Sequence, residues 1–112
     1  MTDRDLLHEA ADIFKLMGDP TRLAILELVL EDRLPVSEIA HRLDHSVSLI
    51  SHHLRLLRAA RLVRSEREGK QVFYRADDHH IEQIVADMIA HAAEARGTSP
   101  ADLITAAKEK AS

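Results

Sequence analysis

There is no cysteine in these 112 residues, which removes disulfides, thiolate metal ligands and thiol nucleophiles at once. Tryptophan is also absent, and one tyrosine and two phenylalanines leave aromatics at 3%. A chain this poor in aromatics yet 46% apolar builds its core from aliphatic side chains, which suits helices. Only three glycines and three prolines occur, so each break between elements is informative. No apolar run approaches the roughly 18 residues that a membrane-spanning helix needs. The N-terminal MTDRDLLHEA carries acidic residues where an export signal would be basic, so a soluble, cytoplasmic protein without a membrane role is expected. At this length one domain covering 1–112 is expected, small enough that pairing with a second copy would usefully enlarge its core.

Hydrophobic periodicity orders the chain. Leu6, Leu7, Ala10, Ile13, Phe14 and Met17 recur at helical spacing and predict a first helix over about 4–17. Gly18-Asp19-Pro20 stops it, and Pro20 can open a second helix whose segment 21–30 is apolar round most of its circumference and therefore central. After Leu34-Pro35, two short helices cover 36–43 and 47–60, joined by the polar turn Asp44-His45-Ser46. The second of them is expected to bury Val47, Ile50, Leu54 and Leu57. Two helices with so short a turn form a helix-turn-helix over 36–60. Strand segments at 62–65 and 71–76 flank Glu68-Gly69-Lys70 and predict a basic hairpin, a wing, over 62–76. A long helix follows at 78–95, ended by Gly97, and Ser99-Pro100 opens a last short helix over about 100–110. The fold class is mainly α with a small β-hairpin: a winged helix-turn-helix, dimeric through its N- and C-terminal helices.

The net charge of −4 is unevenly spread. Residues 46–75 hold seven arginines and lysines against two glutamates, while the rest of the chain is strongly acidic. A concentrated basic segment on an acidic protein is the footprint of a surface for double-stranded DNA, although charge alone is equally compatible with a solvated face.

The helix at 78–95 carries Asp78 and His80 near one end and His91 and Glu94 near the other. His80 and His91 share a face but stand about 16 Å apart along the axis, too far for one ion to bridge. The pairs 80/91 and 78/94 are centred on nearly the same point, close to Val85–Ala86. Antiparallel pairing of this helix with its copy about a two-fold axis there would build two identical sites, each with Asp78 and His80 from one chain and His91 and Glu94 from the other. Two imidazoles and two carboxylates suit zinc or a similar divalent ion. Singly, Asp78 reads as a helix cap and His80 as a surface histidine. The shared midpoint, with Ile81, Ile84, Val85, Met88, Ile89 and Ala92 as an apolar seam between the pairs, points to a ligand set.

MGDPTRLAIL at 17–26, SVSLISHHLRLLRAARLV at 46–63 and REGKQVFY at 67–74, in this order, resemble the ArsR/SmtB family of winged-helix metal-sensing repressors over about 6–95. The long helix looks most like the zinc-sensing branch, and that register selects Asp78 over Asp77 and His80 over His79. The resemblance also implies a relay, in which the non-coordinating nitrogen of His91 donates to a backbone carbonyl just after the recognition helix, near Arg61. Pro35 and Ser37 stand where arsenite- or cadmium-sensing relatives place cysteines, so a soft-metal site there is excluded. No histidine follows Arg96, which disfavours nickel, though Co2+ or Ni2+ in place of Zn2+ stays open.

On the recognition helix, Ser46, Ser48, Ser51, His52 and Arg55 are the candidate DNA contacts, with Ser46 better suited to capping. Arg64, Arg67 and Lys70 on the wing are expected to meet phosphates or the minor groove, and His53 could equally pack between helices. No nucleophile with a partnered base and no His-Glu-x-x-His peptidase motif occurs, so no enzyme is expected. The expected function is a homodimeric repressor that reads an imperfect inverted repeat and releases it on binding zinc. The other readings are a cobalt or nickel sensor, a constitutive DNA-binding protein stapled by a structural metal, and a zinc buffer.

Overall fold

The computed structural model describes residues 2–97, and four of its five helices start where a side chain satisfies a free N–H group of the first turn, α3 after Pro35 being the exception. Thr2 and Asp5 form a reciprocal capping box at the start of α1 (Asp3–Met17). The Asp19 carboxylate accepts from Arg22 N–H at the start of α2 (Pro20–Leu28), with Pro20 in the first turn. α3 (Val36–Leu43) and α4 (Val47–Ala59) follow, the latter capped by the Ser46 hydroxyl, which accepts from Leu49 N–H at 3.0 Å. β1 (Val63–Glu68) and β2 (Gln71–Ala76) pair antiparallel from Val63↔Ala76 to Glu68↔Gln71, leaving Gly69-Lys70 as a two-residue turn with Gly69 at φ +64°. α5 (His79–Arg96) begins at Asp78, whose carboxylate accepts from Ile81 N–H, and ends at Gly97.

α2 is the hub, as its apolar circumference predicts. Ile25, Leu26 and Val29 are buried against Ile39 and Leu43 of α3 and Ile50, Leu54 and Leu57 of α4. Leu62, Val63 and Val85 close the same cluster from the wing and α5. Each such side chain contributes about 1.5–3 kcal/mol by leaving water. No helix among the described residues is long and apolar enough to cross a membrane.

Three details depart from the sequence expectation. α2 ends at Leu28 rather than Leu30, and the freed Val29 carbonyl accepts from Ala76 N–H at the base of the wing. β1 runs on to Glu68 although its last residues are charged, because a two-stranded ribbon needs only one covered face. Its base is widened by Leu34, which exchanges two backbone hydrogen bonds with Tyr74, at 3.0 and 2.8 Å. The third departure is Val47, expected in the core but 49% exposed. Counting back three residues from Ile50 turns about 60° off the buried line, and Val47 is not among the residues packed on the core. The helix expected at 100–110 lies outside the described residues.

α4 is closed at its C-terminal end by a Schellman arrangement: Arg61 N–H donates to the Arg58 carbonyl at 3.0 Å and Leu62 N–H to Leu57 at 2.8 Å. This places Arg61 in the left-handed region at φ 61°, where a β-carbon costs about 1–2 kcal/mol. Arg61→Gly is therefore expected to raise stability by about 1 kcal/mol, the strain relief exceeding the entropy that glycine adds to the unfolded chain. A urea midpoint that falls instead would show that the arginine side chain contributes packing there.

Candidate DNA interface and metal ligands

On α4 the core side chains Ile50, Leu54 and Leu57 fix which residues face out. Ser48, His52 and Arg55 lie opposite them and are exposed, while Ser51 sits half-buried on the flank. The Ser46 hydroxyl is occupied by its cap, as its position suggested. Between α4 and β2 runs a cleft of about 500 Å³ lined by Ser51, Arg55, Arg58 and Tyr74. Neither guanidinium pairs with a carboxylate among the described residues. Arg58 and Tyr74 escaped the sequence reading. For Arg58 the signal was there, because 51, 55 and 58 follow helical spacing; Tyr74 needed the strand register.

The wing is less basic than its sequence. Glu66 stands 3.5 Å from Arg33, 3.4 Å from Arg64 and 3.5 Å from Arg75, so one carboxylate is shared by three guanidiniums. Arg33 also pairs with Glu68 and lies 4.4 Å from the centre of the Phe73 ring. Arg64, expected to reach phosphates, donates instead to the Asp77 carbonyl at 2.9 Å, tying the wing to the residue before Asp78. Arg67 and Lys70 are exposed near the tip and form no ion pair among the described residues.

His53 packs between helices, the alternative raised for it above. Its Nδ1, the Nε2 of His45 and the Nε of Arg22 are shielded without a hydrogen-bond partner among the described residues. Burial holds the His53 pKa below the ordinary value; Asp19 opposes that shift, and Arg22, His52 and His45 reinforce it.

The four metal-ligand candidates lie on α5 as the spacing requires. Asp78 and His80 stand at its start, with Asp78 Oδ1 3.8 Å from His80 Nδ1 and the imidazole 88% exposed. His91 and Glu94 are exposed in the last turns and have no partner among the described residues. Asp78 spends Oδ1 on its cap, which leaves Oδ2 free. Within one chain the pairs stay at opposite ends, and no three histidine or carboxylate side chains converge among the described residues. The donors are of the right chemistry for a divalent ion, and a second copy would have to complete the set. His91 and Arg61 are not brought into contact within the chain.

Comparison with known proteins bears on this surface. Residues 19–65 match the family described as bacterial regulatory protein, arsR family. The transcriptional repressor SmtB of Mycobacterium tuberculosis is 38% identical over 91 residues, covering 81% of this chain and 67% of that protein. The chain belongs to the ArsR family. A Staphylococcus aureus homologue of the cadmium resistance regulatory protein CadC is 37% identical over 77% of this chain and 72% of its own length. Among solved structures, the homodimeric winged helix-turn-helix DNA-binding domain of a possible ArsR-family regulator from Mycobacterium bovis superposes with a TM-score of 0.76 at 28% identity, covering 84% of this chain and 89% of that one. ArsR-family membership makes the chain a transcriptional regulator rather than an enzyme. The matched segment covers α2, the helix-turn-helix and the start of the wing, and it stops before α5. The alignment with SmtB is longer: 91 of 112 residues necessarily include the first two thirds of α5.

His53 gives this ArsR-family chain a pH signature. Its folded pKa lies below the 6.5 of a free histidine, so the unfolded chain binds the proton more readily. The stability this contributes is complete above the free value and is lost as pH falls from there through the lower folded value. His53→Asn should flatten that loss, read as a smaller drop in urea midpoint between about pH 7.5 and about pH 5.5. An unchanged drop would assign the dependence to other groups.

Proposed function

We propose that this ArsR-family chain is a homodimeric repressor that grips operator DNA through α4 and the wing and releases it when zinc joins donors on two α5 helices. The observation that carries this reading is the layout of α5: two exposed donor pairs at its ends, with a partly uncovered apolar stripe between them. Met88 on that stripe is 55% exposed, and on α1 Leu7 is 71% and Phe14 58% exposed. Apolar surface of this kind on both outer helices is what a second copy would cover.

In the dimer, Asp78 and His80 of one chain meet His91 and Glu94 of the other. These four side chains would hold zinc, which would supply a divalent positive charge tying one chain to the other. Asp78 would offer Oδ2, because Oδ1 caps the helix. With one ring nitrogen given to the ion, His91 would offer its other ring N–H to the Arg61 carbonyl, which accepts no backbone hydrogen bond among the described residues. That carbonyl sits at the corner where α4 ends, so moving it moves the reading head. Two such heads about a two-fold axis suit an imperfect inverted repeat, with Ser48, Ser51, His52 and Arg55 in the major groove. Arg58 with Tyr74, and Arg67 and Lys70 at the tip, hold phosphates. The names of the SmtB and CadC relatives, a repressor and a cadmium-resistance regulator, support the reading.

Fluorescence anisotropy on an operator duplex at fixed salt tests the switch. Zinc is expected to weaken binding at least fivefold, with chelator restoring it, in the usual range of allosteric coupling. His91→Ala should bind DNA normally and lose the zinc response. Unchanged affinity with zinc demonstrably bound would reduce the metal to a staple. Arg58→Ala should lower the slope of log affinity against log salt by about two for a dimer, one phosphate per chain. An unaltered slope would remove the α4–β2 cleft from the interface.

A further inference from the structure

Val47 is the residue whose place the sequence pattern misjudged, and its position suggests a use. It opens α4 at the first helical position, is 49% exposed, and does not pack on the core. One turn on from it along the same flank is Ser51, and Ser48, His52 and Arg55 complete the surrounding surface. Each of those neighbours offers hydrogen-bonding groups; Val47 offers only two methyls. The other exposed apolar residue of that turn, Leu49, is 39% exposed but lies about 200° round the helix, so the two do not form one patch.

We infer that Val47 reads thymine, by packing its methyl groups on the thymine C5-methyl in the major groove; this rests on the DNA-binding function proposed above. The first turn of a recognition helix is the part that reaches base edges. Among the groups lining the major groove, the thymine methyl is the one that an aliphatic side chain recognises and a hydroxyl or imidazole does not. A hydrogen-bonding rim of two serines, a histidine and an arginine is poorly matched to an apolar protein partner. It is well matched to the acceptors and phosphates that flank a thymine. Val47 then supplies sequence discrimination at one base step of each half-site, where its polar neighbours supply register and affinity.

The experiment uses the full chain and the duplex it selects from a random pool. Each thymine is replaced singly by deoxyuridine, which lacks only the methyl, and affinity is read by anisotropy at fixed salt. Wild-type protein should lose about fourfold in affinity at one thymine per half-site, the factor for uncovering a single methyl group. Val47→Ala should bind the thymine and uracil duplexes equally, while Leu49→Ala keeps the wild-type discrimination. The exposed position of Val47 leaves the fold intact in this variant, which its circular dichroism and urea midpoint verify. Indifference of the wild type to every replacement, or the same sensitivity in Val47→Ala, overturns the inference and leaves the repressor reading standing. Failure to select or bind any duplex overturns both.

Discussion

Burial of α2 is the constraint to which the other elements conform. Its residues Ile25 and Leu26 are completely shielded, and α3, α4, β1 and α5 each add at least one buried aliphatic side chain to the cluster they belong to. With so few aromatics, no single large side chain can bridge a misfit, so the helices must approach closely and at definite angles. That fixes the rotation of α4, whose inward Ile50, Leu54 and Leu57 leave Ser48, His52 and Arg55 pointing away. The polar outer face of α4 is a consequence of its apolar inner one.

Local chemistry was legible along the chain wherever a side chain closes its own turn. Asp19-Pro20, Ser46 and Asp78 start helices because each satisfies an amide within three residues, and such contacts need no knowledge of the fold. The spacing of Asp78, His80, His91 and Glu94 was legible for the same reason, since their placement at the two ends of α5 is a property of one helix. What escaped depends on partners far away in sequence. The Leu34–Tyr74 bridge, the cleft beneath Arg58 and the sharing of Glu66 all follow from how the hairpin folds back. Val47 escaped because periodicity describes a face without saying where along the helix its cover ends. Arg61 escaped because left-handed corners are usually glycine, and here an arginine occupies one.

α5 joins two kinds of information. Its start is held by the Asp78 cap and, through Asp77, by Arg64 of the wing. Its middle packs Val85 into the core, and its far end projects His91 and Glu94 into solvent. One donor pair is therefore anchored to the DNA-reading part of its own chain, while the other extends away from it. A bond between such unlike ends necessarily sets the two chains in a defined relation.

Glu66 limits the charge of the wing. By sitting among Arg33, Arg64 and Arg75, it muffles much of the positive field that the hairpin would otherwise project. Three arginines without that carboxylate would add sequence-independent attraction to any duplex. With those charges shared among two carboxylates, this part of the hairpin offers a polyanion less net charge than its arginines suggest. Sequence-independent attraction to duplex scales with the phosphates neutralised, so a wing tempered in this way leaves more of the discrimination to the residues that reach base edges.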